Sequence, residues 1–116
     1  MSVPTLSTVV LDCPDPRALA DFYAKLLDWP TIEGDDDWVT IKNGDARIDF
    51  QRIDDYATPT WPGGDKPQML HLDFSVDDLA AGQERAVALG AQVLDESSTS
   101  YHVLADPAGH PFCLCS

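Results

Sequence analysis

Basic residues are scarce in this chain. Seven Lys and Arg stand against 20 Asp and Glu in 116 residues, a formal charge of -13, and so acidic a protein is repelled by phosphate backbones instead of releasing their counterions. Nucleic acid is excluded as a partner, and adsorption to an anionic membrane surface with it. Long apolar runs are missing too: none approaches the ~18 residues of a membrane-spanning helix, and the opening MSVPTLST has neither the basic nor the apolar region of an export signal. A cytoplasmic protein is expected. Cysteine is limited to Cys13, Cys113 and Cys115, an odd number without an export signal, which argues against a disulfide framework and for reduced thiols. The length leaves room for one domain with a modest core, and 44% hydrophobic residues is ordinary for a globular chain.

One stretch organises what is there. Met69 to Asp78 reads MLHLDFSVDD. In an extended chain Leu70, Leu72, Phe74 and Val76 share one face, while Met69, His71, Asp73 and Ser75 share the other. An apolar row backed by helices and a polar row carrying a histidine predict a sheet with a concavity in front, where function is expected.

Leu6 to Cys13, LSTVVLDC, is aliphatic and β-branched and reads as a buried strand. Asp15-Pro16 then signals a helix start, an N-cap carboxylate followed by proline in the first turn, and Leu19, Phe22, Tyr23 and Leu26 recur on one helical face until about Leu27 to Trp29. Strands follow at Thr31 to Gly34, Trp38 to Lys42 and Ala46 to Ile53, separated by the acidic turn at Asp35 to Asp37 and the turn signal Asn43-Gly44. Tyr56 to Gln68 has three prolines and two adjacent glycines, shows no periodicity and reads as a connection.

The second half repeats the first. Met69 to Val76 predicts a strand, Asp77 an N-cap, and Leu79, Ala86 and Leu89 an inward helix face stopped by Gly90. Strands are expected at Ala91 to Leu94, Ser100 to Leu104 and Pro111 to Cys115, with a tight turn at Asp106 to Gly109. Asp15 matches Asp77 at the same separation as Leu27 matches Leu89, so the chain predicts two similar β-α-β-β-β modules. The expected class is α+β, one domain over 1–116 with modules at about 5–54 and 69–116 and a linker at 55–68.

Several residues are candidates for chemistry. His71 beside a carboxylate such as Asp49 or Asp73 suits a general base or a metal ligand. Asp49 shares a face with Arg47 and Gln51, either a site or a solvated polar surface, and Arg47 with Arg52 would receive an anionic small molecule. Trp61, in the proline-rich loop, suits a lid over an apolar pocket. Trp38 and Tyr101 read as strand packing residues, Cys113 as a small buried hydrophobe, and His102 and His110 as solvated. Asp35 to Asp37 lacks the spaced ligands of a calcium loop.

The segments PDPRALADFYAKLLDW, PTWP, HLDFSVDDL, LGA and VLADPAGHPFCL together resemble the glyoxalase-like domain group of the vicinal oxygen chelate superfamily, which includes glyoxalase I, bleomycin resistance proteins and extradiol dioxygenases. The resemblance covers nearly the whole chain. It implies curled mixed sheets forming a cup, commonly in a homodimer, and in metal-dependent members one divalent ion on four side chains from the first and last strands of each module. Those positions fall here on Thr8, Asp49 (with Gln51 two residues on), His71 and Cys113. Threonine is a poor ligand and Cys113 stands where metal-dependent members carry Glu, so neither glyoxalase I nor dioxygenase turnover is expected. No resident metal is expected; if one binds, Zn²⁺ or Fe²⁺ on Asp49, His71 and Cys113 suits the mixed donors.

The resulting expectation is a protein that binds, and by analogy with bleomycin resistance proteins sequesters, a small organic compound. Gln51, Trp61, Arg47 and Thr8 would contact the ligand beside His71 and Asp49. The alternative is an isomerase or lyase in which His71, paired with Asp49, moves a proton next to a carbonyl or hydroxyl.

Overall fold

The computed structural model describes residues 2–116. The chain divides into two compact units, one ending at Tyr56 and one beginning at Ala57, and each runs β-α-β-β-β. The class is α+β, with two tandem modules each built on a mixed four-stranded sheet. No described helix is long and apolar enough to cross a membrane.

In the first unit β1 (Val9–Cys13), α1 (Pro16–Leu27), β2 (Thr31–Gly34), β3 (Trp38–Asn43) and β4 (Ala46–Arg52) form a sheet of order β1-β4-β3-β2. The crossover through α1 makes β1 parallel to β4; the remaining pairs are antiparallel. Asp15 caps α1 by accepting the Ala18 N–H at 3.2 Å, and Pro16 needs no N–H partner in the first turn. Leu19, Ala20, Phe22, Tyr23 and Ala24 are buried against the sheet face of Leu11, Cys13, Val39, Ile41, Ile48 and Phe50. Tyr23 stacks on Phe50 at 5.8 Å. Each such fully buried large side chain contributes about 1.5–3 kcal/mol, which is what holds helix to sheet.

Two turns position the strands. Asp35 accepts the N–H groups of Asp37 and Trp38 at 2.9 and 3.0 Å, and Gly34, at φ 129°, sits where a Cβ would collide with the Trp38 carbonyl. The β3-β4 hairpin closes at Asn43 and Ala46, so its two central residues are Gly44 and Asp45, one step beyond the expected Asn43-Gly44. Gly44 takes the left-handed conformation, φ 61°, that a two-residue hairpin demands.

The second unit repeats the order with β5 (Leu72–Ser75), α2 (Leu79–Leu89), β6 (Gln92–Asp95), β7 (Tyr101–Ala105) and β8 (Pro111–Cys115), in sheet order β5-β8-β7-β6. The cap of α2 is Asp78, which accepts the Ala81 N–H at 3.2 Å, and not Asp77. Gly90 ends the helix at φ 120°. The buried Asp106 carboxylate accepts from Ala108 and His110 at 2.9 and 3.0 Å and so shapes the turn before β8.

Both entry strands start later than expected. Met69 and Leu70 are 98% and 66% exposed, outside β5, because Leu72 pairs with Phe112 and the next partner upstream is Pro111, which has no N–H to extend the ladder. Leu6 likewise lies before β1, whose partner β4 begins just after the hairpin turn. The alternation itself holds: Leu72, Phe74 and Val76 are half-buried and His71, Asp73 and Ser75 exposed.

Candidate functional site

In the first unit the sheet face turned from α1 carries Asp49, and the register sets it at the centre, between Val10 of β1 and Thr40 of β3. A strand position with neighbours on both sides loses its water, and Asp49 is 0% exposed. Arg47 pairs with it through two hydrogen bonds, Nε to Oδ1 at 2.8 Å and Nη2 to Oδ2 at 2.9 Å. The Trp38 indole N–H donates to Oδ2 at 2.8 Å, and the Thr40 hydroxyl adds another bond. The Arg47 hydrogen bonds, helped by Trp38 and Thr40 and opposed by burial, bring the carboxyl down to about 2. Asp49 is therefore a buried scaffold that is charged at neutral pH, and the solvated polar surface that was one expectation for it is not found.

Trp38 is a correction as well. Expected to pack in the strand, it is 39% exposed and spends its N–H on Asp49. The signal was present, since a tryptophan sharing a face with Thr40 and Lys42 needs a partner for its N–H. Gln51 is half-buried opposite Trp38 and Asp12. Thr8 precedes β1 and turns its hydroxyl to the Val9 carbonyl at 3.2 Å. The expected Arg47 and Arg52 anion site is not formed. Five residues apart on one strand, the two side chains leave from opposite faces, and Arg52 already pairs with Asp37 and Asp54, both at 2.8 Å.

In the second unit Leu114 faces α2, close to Gly82, so its strand neighbour Cys113 and the directly paired Asp73 face the other way. His71 leaves on the same side, two residues before Asp73. Its Nε2 lies 3.1 Å from Asp73 Oδ1, and the donor atoms of His71, Asp73 and Cys113 all fall within 4.8 Å of one another. Burial, reinforced by the charge of Asp73 and a hydrogen bond to it, pushes the Cys113 thiol up to about 11. It stays protonated and is no nucleophile at neutral pH. Among the described residues no cysteine is in a disulfide.

Trp61 rides a loop of this same unit tied by Thr60 N–H to Lys66 carbonyl, 2.8 Å, and Lys66 N–H to the Thr60 hydroxyl, 3.2 Å. Tyr101, expected to pack, is 46% exposed beside Cys115. His102, expected in solvent, is half-buried on the α2 side with its Nδ1 buried and lacking a hydrogen-bond partner. His110 is half-buried and donates its backbone N–H to Asp106.

A model of the glyoxalase-like domain matches residues 8–115. The chain belongs to the glyoxalase-like domain family. Solved structures of the glyoxalase, bleomycin resistance and dioxygenase superfamily share its fold. A glyoxalase-related enzyme from Fulvimarina pelagi superposes with a TM-score of 0.74 at 18% identity, over 97% of this chain and 88% of that one. A glyoxalase/bleomycin resistance protein/dioxygenase family enzyme from Burkholderia phytofirmans PsJN gives 0.71 at 17%, over 93% and 94%. The fosfomycin resistance protein FosX from Mesorhizobium loti gives 0.71 at 15%, over 98% and 92%. Among curated proteins none matches the sequence.

Members of this superfamily often use a divalent metal, and this glyoxalase-like chain can be tested for one on its own donors. His71, Asp73 and Cys113 offer nitrogen, oxygen and sulfur, a set that suits Zn²⁺ or Fe²⁺ and not Mg²⁺. Ligand atoms at zinc bond lengths sit about 3.3–3.8 Å apart, so a spread of 4.8 Å closes with a small turn of the exposed His71 or Asp73 side chain. The donors fit. The set differs from the expected Asp49, His71 and Cys113: the carboxylate beside His71 within the second unit is Asp73, while Asp49 belongs to the first unit and has its oxygens engaged by Arg47, Trp38 and Thr40.

Proposed function

We propose that this glyoxalase-like protein binds a small organic molecule, with His71 as its principal polar anchor. The observation that carries the reading is the His71–Asp73 pair at 3.1 Å. An imidazole serving the core would be buried and satisfied within it, whereas His71 is 40% exposed on the sheet face turned from α2. The loop-borne Trp61 of the same unit would supply a further contact. Binding without turnover would serve sequestration. Within this reading the chain acts as a cytoplasmic homodimer, and cysteines free of disulfides agree with a reducing compartment.

A thermal-shift screen of aromatic and polycyclic compounds, followed by calorimetry, tests it. A hit should weaken by about tenfold or more in His71→Ala, the loss of one anchoring charged hydrogen bond, and also in Trp61→Ala. A hit indifferent to His71→Ala would overturn the reading.

The same pair supports a second reading, an isomerase or lyase. With Nε2–H donated to Asp73, the Nδ1 lone pair of His71 is available to take a proton beside a carbonyl or hydroxyl, and a positioned base of this kind contributes about 10²–10⁴-fold. Turnover unchanged by His71→Ala would exclude it.

A further inference from the structure

We infer that His71, Asp73 and Cys113 together bind one Zn²⁺, with Asp73 as the carboxylate ligand in the place that the family pattern assigns to Asp49. The inference stands apart from the organic-ligand reading, because it concerns a metal site within the second unit and is measured without any organic compound.

Three observations support it. The first is placement: β5 and β8 run parallel with Asp73 directly paired to Cys113, and His71 leaves on the same side, so three different donor atoms gather within 4.8 Å. The second is chemistry. Imidazole, carboxylate and thiolate form a borderline-soft set for which zinc is preferred over the hard divalent ions, and His71 and Asp73 are exposed, leaving a coordination position open to solvent. The third is the state of the competing carboxylate. Both Asp49 oxygens accept from Arg47, and Oδ2 also accepts from the Trp38 indole; drawing Asp49 to a metal would strand a guanidinium and an indole N–H against a buried position. Asp73, 60% exposed in its side chain, is under no such obligation. Cys115 shares the face but pairs with Ser75 and lies outside the cluster.

The test is metal binding by the full, untagged chain after chelator treatment. Titration with Zn²⁺ against a chromophoric chelator should give one ion per chain, and Co²⁺ should give a thiolate-to-metal charge-transfer band. Cys113→Ser should abolish the band, and Asp73→Asn and His71→Ala should each weaken Zn²⁺ by at least about tenfold, the cost of losing even a supporting contact to a metal site. Cys115→Ser should leave both readouts in place, as should Asp49→Asn where circular dichroism shows it folded. Absence of one-to-one binding would overturn the assignment. So would unchanged affinity in Asp73→Asn, a surface substitution that decides the question even if Asp49→Asn fails to fold.

Discussion

Arg47 holds Asp49 by two parallel hydrogen bonds, 2.8 and 2.9 Å long, and thereby keeps charged a carboxylate that is 0% exposed. The arginine reaches solvent and the aspartate does not. The pair carries the charge of a buried strand position out to the surface of the first unit's sheet.

Acid should undo this arrangement over a defined range. The carboxyl lies at about 2 in the folded chain against an ordinary 3.8. A depressed value means that its contribution, about 2 kcal/mol, is fully present above 3.8 and is lost as the pH falls through 3.8 toward 2. Urea unfolding of the wild type and Asp49→Asn should show the wild type ahead at pH 7 and the gap closing across that range. A gap independent of pH would contradict the ion pair.

Removing the arginine should cost more than removing a surface charge. Arg47→Ala leaves a buried carboxylate without its counterion, a change worth 3–5 kcal/mol for a fully buried pair. Because Arg47 is 36% exposed, solvent screening lowers the expected loss below that of a fully buried pair. Arg47→Lys should restore only part of it, since an ammonium cannot make the paired contact. Chemical denaturation of the two variants measures both effects.

Gly34→Ala should destabilise the first unit although the residue is exposed. At φ 129°, with a Cβ directed into the Trp38 carbonyl, the substitution forces the turn at Asp35 to Asp37 to shift, at about 1–3 kcal/mol. Trp38 fluorescence should move with it. An unchanged melting temperature would show that the turn has room the structure does not reveal.

Cys113 should be a slow thiol. Raised to about 11 from 9.0, its thiolate at pH 8 is about a hundredfold less abundant than that of an ordinary cysteine. Iodoacetamide labelling followed by peptide mass spectrometry should find it sluggish in metal-free protein. Asp73→Asn should speed the labelling in part, because burial remains but the negative charge that helps hold the proton on sulfur is removed. Labelling as fast as that of a free thiol would refute the burial argument.

Much of this architecture was legible residue by residue. Asp15 and Pro16 announce α1, Gly90 ends α2, and the tight turn at Asp106 is built around its own carboxylate, because caps and turns are made by side chains reaching their own neighbouring backbone. The period-two pattern of β5 likewise put His71 and Asp73 on one side and Leu72 and Phe74 on the other. The late starts of β1 and β5 were not legible, because a strand ends where its partner runs out, and the partners β4 and β8 lie dozens of residues away. The same distance hid the partner of Trp38, whose indole reaches diagonally past Gln51, the residue across from it, to Asp49.

The sequence by itself determined the α+β class, the doubled β-α-β-β-β order and the faces on which the polar candidates lie, since these follow from local propensity and from the two periods of helix and strand. Only the tertiary structure decided the partnerships. Whether Asp49 answers to Trp38, and whether Cys113 meets Asp73, depends on strand order and register. Register is set by the packing of whole apolar faces, Tyr23 on Phe50 in one unit and Phe74 against Phe112 in the other, and a slip of one residue would turn every side chain to the opposite side.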